Sequence, residues 1–300
     1  MKPLSYAQNL EDWHLALAFS GQATGTYVDV GAGHPIADNV TQFFYERGWS
    51  GLVVEPQAAL AALYPRLRPR DRVHQGLAGR EAGEVAFHEV ERFHGLSTTV
   101  AAHAEDARRL GAAARVRRLP VEPLAALCRA HGITAVDVLK VDVEGAEAEV
   151  LAGHDWEALR PGIVLVEAVA PGSGEPAWDA FEPFLLARGY RFRLFDTLNR
   201  FYVAEERPDL FERLPAQRAP WDSATHLYEI GRAPENASHP DHALATALAR
   251  GLFARLPHLD PALLADLLTD ANPALPRRFD TDAARAALGR IACGYDGGQL

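Results

Sequence analysis

Short apolar runs in this sequence stop at acids or at a glycine turn, and they recur between segments of helical period. Thr26 to Val30 runs into Gly31-Ala32-Gly33, Gly51 to Val54 ends at Glu55, Ala135 to Val143 carries Asp142, and Gly162 to Ala168 carries Glu167. Apolar strands interleaved with helices predict an open, mostly parallel α/β sheet with helices on both faces. Ligands of such sheets bind beyond the carboxyl ends of the strands. The acids therefore fall where a site belongs, not where a core belongs.

Around this frame the pattern predicts helices over 6–20, 40–47, 57–64, 100–110, 121–131 and 176–188, with a strand near 72–76. Glu84 to Val90 alternates polar and apolar residues, as an extra, partly exposed strand does. Tyr190 to Phe195 and Arg200 to Ala204 flank Asp196-Thr197-Leu198-Asn199 and predict an antiparallel hairpin at one sheet edge. From Ala233 the texture changes to short Ala/Leu helices punctuated by proline, such as 242–256 and 262–268. Residues 1–232 thus read as one domain and 233–300 as a helical appendage. That appendage is expected to cover the core, form a homodimer or dock a partner such as a glycosyltransferase. The arginines at 66–72 and 108–118 read as solvated helix and loop faces.

Charge narrows the partners. Forty acidic against 30 basic side chains leave a net charge of −10, whereas nucleic-acid binding draws its affinity from a basic surface. A small-molecule or glycan acceptor fits better. Cys128 and Cys293 lie too far apart for a metal-ligand spacing and read as reduced thiols. No stretch approaches 18 uncharged apolar residues, so no membrane span is expected. Glu11 and Asp12 interrupt the apolar run that a signal peptide needs, which predicts a cytoplasmic protein.

The glycine turn has the form DxGxG, from Asp29 to Gly33. The dinucleotide fingerprint needs a third glycine where this chain has Ile36. Glu55 lies 24 residues after Gly31 and can accept both hydroxyls of a ribose. Together these suit S-adenosylmethionine, whose amine-bearing, cationic tail favours acidic company. The other reading is a tight turn with both acids as bystanders.

Further on, Lys140, Asp142 and Glu144 alternate with valines, so a period of two would point all three to one side if the strand persists that far. Only two of the 30 basic residues are lysines, and one stands in this strand. Glu167 ends the next strand and should lie nearby. Ionised groups in such places are costly unless paired or functional. The competing reading is a buried ion pair of Lys140 with Asp142 or Glu144. Glu147, in the first turn of a helix, is favoured there by the helix dipole alone.

At these residues the chain resembles the FkbM-type methyltransferases. The likeness rests on 6–12 (YAQNLED), 27–32 (YVDVGA), 48–56 (GWSGLVVEP), 95–98 (GLST), 139–147 (LKVDVEGAE) and 198–204 (LNRFYVA), within residues 4–231. It implies a class I methyltransferase (Rossmann-like) seven-stranded sheet and S-adenosylmethionine as donor. The implied acceptor is a hydroxyl, on a sugar of a polysaccharide, glycolipid or secondary metabolite. By motif, Asp29, Gly31, Gly33 and Glu55 would hold the cofactor, with Gln8, Glu11 and Asn39 as further candidates. At Gly33-His34-Pro35 the chain departs from relatives with Asn-Asp or Asn-Gly.

Methyl transfer leaves one chemical problem, the proton of the acceptor hydroxyl. Lys140, Asp142, Glu144 and Glu167 are the candidates to handle it. A carboxylate near pKa 4 is a weak base for this task, and Lys140 serves as base only if desolvation lowers its pKa. The expectation is that Asp142 and Glu144 position or deprotonate the hydroxyl with Lys140 orienting them. The alternative is a divalent cation such as magnesium on Asp142, Glu144 and Glu167. His94 could supply a base, and Tyr6, Trp13, Phe93, Trp178 and Arg200 could line an acceptor pocket. Competing functions are a nicotinamide-dependent oxidoreductase or epimerase, and a non-catalytic, cofactor-binding partner of a glycosyltransferase.

Overall fold

A computed structural model describes residues 2–90, 97–109, 113–170, 174–271, 286 and 288–292. The first third contains β1 (Leu4–Ser5), α1 (Glu11–Ala18), β2 (Thr26–Val30), α2 (Gln42–Tyr45), β3 (Ser50–Val54), α3 (Ala58–Ala61), α4 (Tyr64–Leu67), β4 (Arg72–His74), β5 (Leu77–Gly79) and β6 (Gly83–Val90). Then follow α5 (Ala101–Arg109), β7 (Ala114–Pro123), α6 (Leu124–Ala130), β8 (Val138–Val141), α7 (Glu147–Ala152), β9 (Ile163–Glu167) and α8 (Glu182–Leu186). The rest comprises β10 (Tyr190–Phe195), β11 (Asn199–Ala204), α9 (Pro208–Arg213), β12 (Thr225–His226), α10 (His242–Arg255) and α11 (Pro261–Ala271).

Seven strands form the main sheet in the order β10-β11-β9-β8-β2-β3-β4, and only β11 runs against the rest. This is the expected class I methyltransferase sheet with its edge hairpin. The apolar runs form its middle because both faces are covered: Val28, Leu52, Leu139 and Val164 are fully buried against helix residues such as Leu124, Val150 and Leu151. Each such side chain contributes roughly 1.5–3 kcal/mol. Chain order reverses between β2 and β8, which opens a crevice at their carboxyl ends. The register sets Asp29 directly beside Lys140 there.

A second sheet, β5-β7-β6, pairs β5 parallel and β6 antiparallel to β7. The alternating strand expected over 84–90 is β6. β7 corrects two expectations at once: 114–118 is strand, not an arginine-rich helix or loop face, and the next helix starts at Leu124 rather than near 121. Arg115, Val116, Arg117 and Arg118 are all exposed, so no apolar period marks the strand. The long helix over 6–20 shortens to α1 because Leu10 takes a left-handed φ of 65°. Helices 57–64 and 176–188 also break, with Pro65 and Pro183 opening new turns.

The chain divides into two units after His226. In the second, α10 exposes Leu244, Leu248 and Leu252, and α11 exposes Leu263 and Leu267. Among the described residues no helix is long and apolar enough to cross a membrane. Cys128 is a buried free thiol, and Cys293 lies outside the described residues.

Candidate functional site

β2 stops at Val30, and the backbone turns left-handed at Gly31 (φ 74°) and Gly33 (φ 62°). Glycine adopts such values without the clash that a Cβ brings. Gly31 is also pinned by close approach: a Cβ there would lie 1.7 Å from the Asp142 carbonyl oxygen. Behind the turn, the Gly31 and Ala32 N–H groups donate to the Val54 carbonyl at 3.0 and 3.3 Å. The buried Glu55 accepts the Gly33 N–H at 2.8 Å on one oxygen and the Gln57 N–H at 2.7 Å on the other. Burial pushes its carboxyl up to about 7, although those N–H groups and Lys140 pull it down. Each oxygen keeps acceptor capacity toward the cavity it lines.

His34 accounts for the departure that follows Gly33. Its Nδ1 accepts the N–H groups of Ile36 and Ala37 at 3.1 and 3.0 Å. A short polar side chain such as Asn closes a turn in the same way.

Three of the expected cofactor ligands stand behind the cavity wall. Asp29 is buried, accepts the Thr41 hydroxyl at 2.8 Å and faces the Lys140 ammonium at 3.4 Å. Asn39 donates to the Ala32 carbonyl at 2.9 Å and accepts from Arg68 at 2.8 Å. Glu11 accepts the Asn9 N–H at 2.6 Å and the Asn199 amide at 2.7 Å. Their side chains are tied into the wall, while Gln8, Gly31, Gly33 and Glu55 line the cavity.

The second cluster grows from β8, which ends at Val141, so the expected period of two does not reach Glu144. Asp142 and Glu144 sit instead on a turn in which Glu144 (φ 56°) and Gly145 (φ 105°) are both left-handed. The turn still brings Asp142 and Glu144 to Glu167, the last residue of β9, with one carboxylate oxygen of each within 4.8 Å of the others. The Glu144 carboxyl is raised far above the usual carboxylate range, by burial first and then by Asp142 and Glu147. Burial and the same neighbours raise Glu167. Glu144 Oε2 is buried and makes no hydrogen bond among the described residues.

Lys140 holds the two clusters together. Its ammonium donates to the Gly31 carbonyl at 2.6 Å and lies 3.3 Å from Asp142 and 3.4 Å from Asp29. Burial alone would lower its pKa, but Asp142 and Asp29 more than reverse that and raise it. All three protons have acceptors, which holds the ammonium between the two carboxylates and the Gly31 carbonyl. Glu147 does more than complement a helix dipole: its Oε1 accepts the Val143 and Gly145 N–H groups at 3.2 and 3.0 Å.

Both clusters face one cavity of about 1060 Å³, lined also by Arg80, Phe87, Ser97 and Thr99 from the second sheet and its neighbourhood. Sequence reasoning missed Arg80 and Phe87, and the alternation over 84–90 was the signal that led to their sheet. The expected acceptor-pocket side chains Tyr6, Trp13, Trp178 and Arg200 do not line the cavity. Tyr6 donates to Glu46 at 2.8 Å, and Arg200 pairs with Glu182 at 2.8 Å. Phe93 and His94 lie outside the described residues.

Comparison with known proteins follows the same lines. The Methyltransferase FkbM domain matches residues 29–192, from the end of β2 into β10. Methyltransferase sdnD of Sordaria araneosa is 40% identical over 91 residues, 29% of this chain and 30% of that protein. The chain thus spans about 30% of the length of this curated relative. Among solved structures, a TehB-like SAM-dependent methyltransferase of Corynebacterium glutamicum shares 10% identity at a TM-score of 0.36, covering 65% of this chain and 87% of that one. CalO1, a methyltransferase in calicheamicin biosynthesis solved with SAH bound, shares 18% identity at a TM-score of 0.32, covering 65% and 54%. With the domain matched over more than half of its length, this chain belongs to the FkbM methyltransferase family.

Proposed function

We propose that the protein is an S-adenosylmethionine-dependent O-methyltransferase acting on a hydroxyl of a small-molecule or glycan acceptor, on the sugar of a polysaccharide, glycolipid or secondary metabolite. The observation that carries this reading is the meeting of Asp142, Glu144 and Glu167 in the same cavity as the glycine turn and Glu55. Ligand pockets commonly span about 300–1000 Å³, so this one has room for a cofactor and part of an acceptor. The cofactor supplies a methyl group on a cationic sulfur. Gly31 and Gly33 would let the backbone come close to it, Glu55 would accept its ribose hydroxyls, and Gln8 would close the wall.

What the chain's residues add is geometry and a proton sink. Holding two reactants in line is worth effective molarities of roughly 10⁵–10⁸ M. With donor and acceptor bound, the methyl group would pass from sulfur to the acceptor oxygen, and the hydroxyl proton released would go to a carboxylate of this cluster. Glu144 is a stronger base than an ordinary carboxylate because its pKa is raised to about 9, but only its ionised fraction can take the proton, so turnover through it should rise with pH toward that value. Lys140 holds Asp142 in place beside it through their 3.3 Å ion pair. The test is Glu144→Gln. Turnover should fall about 10²–10⁴-fold, the range for loss of a general base, with calorimetric S-adenosylhomocysteine affinity retained. Full turnover would remove Glu144 from catalysis, and failure of the wild-type protein to bind S-adenosylhomocysteine would remove the cofactor reading.

The close approach of the three carboxylates favours a second reading, in which they hold a divalent cation such as magnesium that binds the hydroxyl. Loss of activity in EDTA, restored by magnesium, selects that reading, and activity that survives EDTA rejects it. A cytoplasmic location accompanies the proposal. A homodimer or a glycosyltransferase complex through residues 233–300 would use the exposed leucines of α10. Light scattering tests the dimer.

A further inference from the structure

Glu144 carries its carboxylate on a backbone that a residue with a Cβ adopts rarely, and the next residue is left-handed as well. Such a turn persists only when its surroundings over-determine it. Glu147 holds it from one side through the Val143 and Gly145 N–H groups. The other side is held from a distant part of the chain. The Thr98 hydroxyl donates to the Glu144 carbonyl at 2.7 Å, and the His103 Nδ1–H donates to the same oxygen at 2.9 Å.

Two details show that this contact is built. Thr98 is 1% exposed, and its Oγ1 accepts the Val100 N–H at 2.9 Å, which leaves the hydroxyl proton for Glu144. The His103 ring also packs against Gly145 so closely that a Cβ there would lie 2.5 Å from its Cε1. Ser97 and Thr99, on either side of Thr98, line the cavity. The segment that forms part of the cavity wall is therefore the one that fixes the Glu144 turn.

We propose that Thr98 and His103 are positioning residues, which place the Glu144 carboxylate among Asp142 and Glu167 by holding its carbonyl oxygen. The proposal rests on the reading that Glu144 handles the acceptor hydroxyl. Displacement of a reacting group by about 1 Å can cost about 10²-fold in rate, so such a clamp matters to turnover without touching the substrate.

The experiment is a set of crystal structures of the full chain, with and without S-adenosylhomocysteine, for Thr98→Ser, Thr98→Val, His103→Phe and the double variant Thr98→Val/His103→Phe. The double variant keeps the volume of the threonine and removes both donors. It should displace the Glu144 carboxylate by about 1 Å or more, enough to misalign a reacting group. Thr98→Ser keeps the hydroxyl and should leave the carboxylate in place, which a packing role would not allow. An unmoved carboxylate in the double variant, or equal displacement in Thr98→Ser, overturns the proposal. If the double variant does not fold, the single variants Thr98→Val and His103→Phe decide: each removes one of the two donors, and a Glu144 carboxylate unmoved in both overturns the proposal. S-adenosylhomocysteine binding to the wild-type protein tests the underlying function separately, because the displacement is read with or without it.

Discussion

The two turns that face the cavity reach the same backbone shape by different means. After β2, left-handed conformations fall on Gly31 and Gly33, where they cost little. After β8, one falls on Glu144, whose side chain makes it unfavourable by roughly 1–2 kcal/mol. The first turn is specified by its own residues. The second depends on Thr98, His103 and Glu147, and in return it aims a carboxylate into the cavity. A turn that only has to admit a ligand can be made of glycine. One that must present a reactive side chain cannot, and it needs support from elsewhere.

The largest effect should come from joining the two turns wrongly. Gly31→Ala places a Cβ 1.7 Å from the Asp142 carbonyl oxygen at a left-handed φ, so β2 and β8 must part. We expect destabilisation of more than ~4 kcal/mol, the exceptional range for a single substitution, or failure to fold, read by chemical denaturation. A variant of wild-type stability would mean that the strand ends are not in contact.

Lys140→Met should come next. It leaves the Asp29 and Asp142 carboxylates without their shared cation. Breaking a buried pair by removing one partner costs about 3–5 kcal/mol. Asp29→Asn added to Lys140→Met should recover part of that loss, because it removes one uncompensated charge. No recovery would show that the lysine acts through its contact with the Gly31 carbonyl instead.

The smallest effect concerns the glycine side alone. Glu55 is raised to about 7 by burial, so in the free protein it gains its charge near neutrality. Its contribution to folding stability is then full below its ordinary pKa of 4.5 and is lost as pH rises through about 7. On the proposed cofactor role, binding runs the other way, because the ionised form would accept the ribose hydroxyls. Between pH 6 and 8, S-adenosylhomocysteine affinity measured by calorimetry should rise by up to about tenfold, and Glu55→Gln should flatten the profile. A pH-independent affinity in the wild-type protein would detach Glu55 from the cofactor.

Most of the sheet was legible because its strands are buried on both faces and so had to be apolar. The positions of Glu55, Asp142 and Glu167 followed, since an acid at the end of such a strand stands out. β7 was not legible, because Arg115, Arg117 and Arg118 are solvated and leave no apolar period. The wall positions of Asp29, Asn39 and Glu11 were not legible for a related reason. A motif reports that a residue is near a site, but their hydrogen-bond partners Thr41, Arg68 and Asn199 decide whether it faces the ligand or the wall.

Local sequence by itself thus determined the parallel sheet, the glycine turn and the gathering of acids at one edge, since each follows from burial or from the freedom of a residue's own backbone. Tertiary structure alone decided which acids reach the cavity, that Lys140 is saturated with acceptors, and that Glu144 points where it does. The donors that hold Glu144 lie 46 and 41 residues away in the chain. A hydrogen bond across that distance leaves no period, spacing or composition to read, and exists only once the two segments have packed.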